Sequence, residues 1–416
     1  MLTALRQRDF SLLWFAGLIS ITGDWTLNVA LPFHVYKITG SALATGLMFM
    51  ARTLPGVLFG GFAGVFVDRW DRKRTMVIVD LFATLLVLVL LTVDSVSGLW
   101  VIYLVAFVES SIMQFFVPAE KALLPCLVTG EHLIAANSLN ALNGNLGMFI
   151  GSAIGGAMMG LTGLTSVILF DCASYLLAGM MIFLISWSPG LISKKIESPD
   201  SFKVWSDLWR EWLTGLTLVK RSRTISVIFV AAAMAMLGEG IIQALLVPFV
   251  NLLEGGAMEF GLLLTLRGLG GLLGGFIFGQ VGRFVPPHRA FPWTLSGIGL
   301  SLLFMFNNPV LIVALVVLCI TGMMAVGASV TSTTMLQSGV PNTYLGRIFG
   351  VMGMIAASMT LIGQGSASAF ADLWGVVVML NIGGFLYVLS GLIPLALLRN
   401  PSSSRLENMD DSTAKN

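Results

Sequence analysis

The segment Ala44–Arg74, ATGLMFMARTLPGVLFGGFAGVFVDRWDRKR, recurs 215 positions later as Glu259–Arg289, EFGLLLTLRGLGGLLGGFIFGQVGRFVPPHR. Nine of the 31 aligned positions are identical: Gly46/Gly261, Leu47/Leu262, Arg52/Arg267, Leu54/Leu269, Gly56/Gly271, Leu58/Leu273, Gly60/Gly275, Gly64/Gly279 and Arg74/Arg289. Shared Gly and Leu between two apolar segments carry little information. A shared Arg carries more, because Arg at a bilayer centre costs about 2.5–3.5 kcal/mol on the most lenient scale. The chain therefore reads as two copies of one membrane bundle.

Composition agrees with that reading. Hydrophobic residues are 56% of 416 and charged residues 11%, against about 45–50% and 25% in soluble domains. Apolar runs long enough to cross about 30 Å of hydrocarbon fall at 10–36, 42–67, 75–93, 98–120, 137–161, 164–187, 224–251, 259–282, 290–307, 309–336, 344–370 and 375–398. The expected fold is an all-α membrane protein of twelve transmembrane helices in two pseudo-symmetric six-helix bundles, 1–187 and 224–398. Between them lies a polar linker, 188–223, where Phe202, Trp205, Leu208, Trp209, Trp212, Leu213 and Leu216 recur at the spacing of an interfacial amphipathic helix. A disordered polar tail, 399–416, ends the chain. Loops after the even-numbered spans and both termini hold nearly all the Lys and Arg, and the opposite loops only Lys37. Positive charge stays inside, so both termini are expected in the cytoplasm of a cell (inner) membrane. The N-terminal run continues past Val35 without a cleavage site and reads as a retained first span.

Three scattered cysteines and three scattered histidines give neither a disulfide framework nor a metal spacing. No Walker loop, nucleotide fingerprint, nucleophile elbow or zinc pattern is present, so an enzyme is not expected, nor a cofactor or a nucleic-acid partner. What stands out is charge inside the spans: Asp24, Arg52, Glu109, Asp171, Glu239 and Arg267. At about 1.5 Å per residue, Asp24 lies roughly 21 Å from the inner start of its helix, Arg52 about 15 Å and Glu109 about 17 Å from the outer starts of theirs. They share a layer near the midplane. Such residues mark transport or coupling sites, the alternative being ion pairs that only make a polar residue tolerable. Arg52 continues the Gly56–Gly60–Gly64 row at i−4, and Arg267 sits beside Gly271, so both should point at protein. Gly271, Gly275 and Gly279 repeat the row in the eighth span, and Gly147, Gly151 and Gly155 form another in the fifth; small residues so spaced let helix backbones approach closely.

GVFVDRWDRKR, Gly64–Arg74, is similar to the signature loop between the second and third helices of the major facilitator superfamily, at Gly64, Asp68, Arg69, Arg72, Lys73 and Arg74; Asp71 stands where a glycine is usual. The second copy keeps Gly279 and Arg289 but has Arg283 in place of the acid. FFVPAEKALLPCLVTGEHLIAANSL, 115–139, and GRIFG, 346–350, resemble the branch of macrolide and other drug exporters, siderophore exporters and, more distantly, lysophospholipid transporters. The resemblance implies that spans two and eleven, and five and eight, pack across the interface between halves, where the glycine rows would lie. It implies that spans one and four line the central cavity, which makes Asp24 and Glu109 the leading proton-coupling acids, with Arg52 as counter-charge. Glu239 with Arg267 is the expected equivalent in the other half. Asp68 is expected to latch the cytoplasmic side against span eleven near Tyr344–Arg347, and Arg69, Arg72 and Arg74 to pair with acids of neighbouring loops.

The function expected is a monomeric secondary transporter that exports an amphipathic organic compound, drug- or macrolide-like, in exchange for protons. Acids outnumber Arg in the midplane layer, which suits a neutral or cationic substrate, and Met- and Phe-rich spans offer adaptable walls. A lipid or siderophore transporter of the same fold, and a membrane sensor or scaffold that has lost transport, are the alternatives.

Overall fold

The computed structural model describes residues 4–60, 63–67, 70–93, 95–128, 130–186, 217, 219, 222–281 and 285–397. Twelve of its helices are long and apolar enough to span a membrane: α1 (Arg8–Thr39), α2 (Ala42–Phe59), α3 (Arg72–Val89), α4 (Leu99–Leu127), α5 (Leu133–Leu161), α6 (Leu164–Phe183), α7 (Arg223–Leu252), α8 (Ala257–Val281), α9 (Pro287–Phe306), α10 (Leu311–Gly339), α11 (Asn342–Trp374) and α12 (Val376–Leu397). Every expected span is present. Two ends differ most: α2 stops at Phe59, eight residues short of 67, with helix resuming over Ala63–Val67, and α4 runs seven residues beyond the expected end at 120 and carries Pro118 and Pro125 inside it. The amphipathic linker segment 202–216, Asp68, Arg69, Arg283 and the tail 399–416 lie outside the described residues.

Local chemistry sets several ends. Ser41 caps α2 by accepting from the Ala44 amide, Asp71 caps α3 through the Arg74 amide, and Gly40 closes α1 in the left-handed region at φ 64°. Within the spans the helical backbone pairs its own polar groups, as hydrocarbon demands.

Helices α1–α6 pack into one bundle and α7–α12 into another, and the halves meet through α2 with α11 and α5 with α8. We call the end where α1 begins and α12 finishes the near end. At the far end the halves are in backbone contact: a methyl group on Gly261 would lie 2.6 Å from the Ser152 carbonyl and 2.7 Å from Gly156. Gly46 of α2 is covered as closely by Ser368 of α11. Toward the near end Gly144 on α5, Gly275 and Gly279 on α8, and Gly346, Gly350 and Gly353 on α11 have no neighbour among the described residues within 4 Å of where a side chain would begin. Among the described residues the halves are closed at the far end and splayed at the near end.

This geometry corrects the assignment of the glycine rows. Gly147, Gly151 and Gly155 pack against Ile21, Thr22 and Thr26 of α1, inside their own bundle. The α5 glycines facing α8 are Gly156, one residue on and so about 100° round the helix, and, more loosely, Gly160 against Met258. Of the α8 row, Gly271 meets Asn145 of α5, whereas Gly275 and Gly279 meet nothing. In α2, Gly56 only reaches Ala357 of α11 at 4.0 Å, and the nearest side chain to Gly60 is Gln114 of α4.

Candidate functional site

A cavity of about 470 Å³ lies between the halves. Its lining comes from α1, α2 and α5 on one side and α7, α8 and α10 on the other. Trp25, Phe49, Phe260, Ile242, Leu246 and Leu264 give it apolar walls; Asn28, Gln243, Asn145, Arg52, Glu239 and Arg267 supply polar groups. Met148 is the one methionine among these lining residues, so the wall is aromatic and aliphatic more than methionine-rich.

The charged layer resolves into two sets built alike. In the second half, Arg267 donates to Glu239 Oε1 at 2.7 Å, Gln243 donates to the same oxygen at 3.3 Å, and the Tyr387 hydroxyl donates to Glu239 Oε2 at 2.7 Å. Both carboxylate oxygens are satisfied, which is the condition under which a buried ion pair is tolerable. Gly238, beside Glu239, makes this possible: it lets α7 approach the Gly383 carbonyl and the Tyr387 ring.

In the first half the same kinds of residue stand in the same places: Asp24 on α1, Arg52 on α2 and Tyr175 on α6. Gly23 plays the part of Gly238, lying tight against Ser174 and Asp171 of α6. The partnering differs. Tyr175 Oη contacts Asp24 Oδ1 and, at 2.9 Å, Glu109 Oε1 of α4. Arg52 approaches Glu109 Oε1 only to 3.9 Å. Arg52 Nη1, Glu109 Oε2 and Asp171 Oδ2 are buried without a hydrogen-bond partner. Glu109 and Asp171 are buried and Asp24 half-buried. Arg52 is therefore loosely held beside three carboxyl groups, where its counterpart Arg267 is locked to one.

Sequence reasoning placed all six of these charges inside the spans but missed the tyrosines and the full extent of the repeat. Asp24 and Glu239 are themselves 215 apart, as are Gly23 and Gly238, and Asn28 and Gln243; Tyr175 and Tyr387 are 212 apart. The signal was the same offset extended upstream, together with the rarity of tyrosine, five in the chain. The equivalents of Glu109 and Asp171 at these offsets are Met324 and Gly383, so the additional acids belong to the first half alone.

A polar strut joins the halves near the cavity. The buried Gln364 of α11 donates through Nε2 to Thr53 of α2 at 3.0 Å and to Gln243 of α7 at 3.2 Å. The loop basics do not pair as expected. Arg72 donates to the Ala122 carbonyl of α4 at 2.8 Å. Arg74, largely exposed, lies 3.7 Å from Asp71 on its own helix. Lys73 donates to the Ile185 carbonyl at 2.7 Å. Arg72 and Lys73 thus use backbone carbonyls, one inside α4 and one just past the end of α6, in place of acids in other loops. Asp80 of α3 is buried with both oxygens unpartnered.

A family described as "Transmembrane secretion effector" matches residues 1–414. The macrolide efflux protein A of Streptococcus pyogenes is 23% identical over 92% of this chain and 94% of its own length. The enterobactin exporter EntS of Escherichia coli is 25% identical over 89% and 91%. Among solved structures, a bacterial homologue of the iron transporter ferroportin in an inward-facing state superposes with a TM-score of 0.73 at 17% identity, covering 94% of this chain and 99% of that one. This last likeness shows the fold.

Proposed function

The chain belongs to the transmembrane secretion effector family of the major facilitator superfamily and is an efflux transporter, and from that premise we propose that it exports an amphipathic organic compound, macrolide-like in character, in exchange for protons. The observation that carries this reading is the unequal partnering of the two charged sets. An acid locked to Arg and Tyr has little to gain from a proton, whereas Asp24 and Glu109, sharing one tyrosine beside a loosely held Arg52, have room for one. Arg52 lines the cavity, so cargo and proton act on the same group. In one state Arg52 pairs with an ionised acid; in the other the acid is protonated and Arg52 is released toward the cargo side. A shift of one or two pKa units between states, about 1.4 kcal/mol each, suffices to bias such an exchange. The cavity's aromatic walls and paired charges suit a neutral or weakly cationic molecule. The distribution of Lys and Arg supports a cytoplasmic near end, which makes the splayed state the cargo-loading one.

The test is to replace Asp24 by Asn and Glu109 by Gln, separately, and to measure erythromycin efflux in vesicles with an imposed pH gradient, alongside counterflow without one. Loss of uphill efflux with counterflow preserved is the expected outcome. Wild-type pH dependence in both variants would contradict the reading. The similarity to an enterobactin exporter supports a siderophore as a second cargo, and enterobactin in the same counterflow assay decides between them.

A further inference from the structure

We infer that the two acid–arginine–tyrosine sets divide the work: the α1/α2/α6 set carries the exchangeable proton with Tyr175 as its positioning residue, while the α7/α8/α12 set is a fixed ion pair. This rests on the proposed proton-coupled export and assigns its parts.

A tyrosine hydroxyl has one hydrogen to donate. Tyr387 spends it on Glu239 Oε2, and Arg267 and Gln243 take Glu239 Oε1, so that set is complete without an added proton. Tyr175 has carboxyl oxygens on both sides, Asp24 Oδ1 and Glu109 Oε1. With both acids ionised it satisfies one and leaves the other facing the lone pairs of its oxygen. One added proton completes the row: the protonated carboxyl donates to Tyr175 Oη, and Tyr175 donates to the remaining carboxylate. A proton from bulk solvent adds to a carboxylate oxygen, the hydroxyl hydrogen turns between the two acids, and tyrosine stays neutral throughout. The charge of the cluster rises by one on uptake and falls by one on release.

The surroundings favour this asymmetry. The titratable groups around Tyr175 and the acids beside it are Asp24 from α1, Arg52 from α2, Asp80 from α3, Glu109 from α4, and Asp171 and Cys172 from α6 itself. Across the cavity stand Glu239 and Arg267. The matching environment of Tyr387 holds one acid and one base, because Met324 and Gly383 occupy the places of Glu109 and Asp171.

The experiment compares Tyr175→Phe with Tyr387→Phe in full-length protein reconstituted into vesicles, measuring pH-gradient-driven erythromycin efflux across a pH series and counterflow at each pH. The expected result is a pH profile displaced by about one unit, equivalent to a tenfold change at fixed pH on its slope, in Tyr175→Phe only, with counterflow retained. Tyr387→Phe keeps the wild-type profile and unfolds at lower temperature. Equal displacement in both variants, or none in either while the wild type is driven by the gradient, overturns the division of work. A wild type indifferent to the gradient overturns the proposed function and this inference with it. If Tyr175→Phe does not fold, Asp24→Asn serves in its place, since it leaves Tyr175 one ionisable acceptor; retention of the wild-type profile there overturns the inference equally.

Discussion

Arg52 and Arg267 occupy equivalent places yet differ in what removing them should cost. Arg267 is bonded to Glu239 at 2.7 Å, with side-chain exposures of 22% and 10%. Truncating one partner of a buried pair strands the other, at about 3–5 kcal/mol, and partial exposure places Arg267→Ala toward the low end. Arg52 stands 3.9 Å from Glu109 with one nitrogen already unpartnered, so Arg52→Ala should cost clearly less. Thermal unfolding in detergent checks the order; equal losses would remove the distinction between a fixed and an exchangeable set. The charges were readable in sequence because each interrupts an apolar run at an energetic cost. The tyrosines were not, because a tyrosine in a membrane helix is unremarkable until its hydroxyl partner is known. The acids' partners were likewise hidden: Asp24 was expected to meet Arg52, but the closeness of α1 and α6 at Gly23 gives it to Tyr175.

At the scale of helices, spacing announced that glycines would lie on packed faces but not on which ones. A row that recurs every fourth residue defines a stripe, and neighbouring stripes one residue apart face different helices; Gly270 and Gly274 of α8 pack on Cys319 and Met323 of α10, while Gly271 faces α5. The contact that closes the far end is Gly156 against Gly261, where backbone meets backbone and no side chain can give way. Gly261→Ala should therefore penalise this state and favour opening of the far end. Gly275→Ala adds a methyl to empty space here and should be tolerated in this state. Cysteine labelling from each end reads the balance: Gly261→Ala should raise far-end labelling several-fold, and unchanged labelling would show that the contact does not set the gate. The Gln364–Thr53 hydrogen bond crosses the same closed interface, so opening must also break it, whereas Gln364–Gln243 lies within the second half.

Across the whole molecule, twelve spans, two bundles and their pairing through α2 with α11 and α5 with α8 follow from hydropathy, the internal repeat and the family resemblance. The conformation did not follow, because nothing in hydropathy separates an open near end from a closed one. In the proposed mechanism the open near end, the central cavity and the unbalanced charge cluster take part in a single exchange of cargo for proton. Its most direct test is proton release from purified protein in weakly buffered detergent solution on adding erythromycin, with binding followed in parallel. The account predicts release with the wild type, none with Glu109→Gln, and undiminished release with Tyr387→Phe. Saturable erythromycin binding to the wild type with no proton released would contradict it.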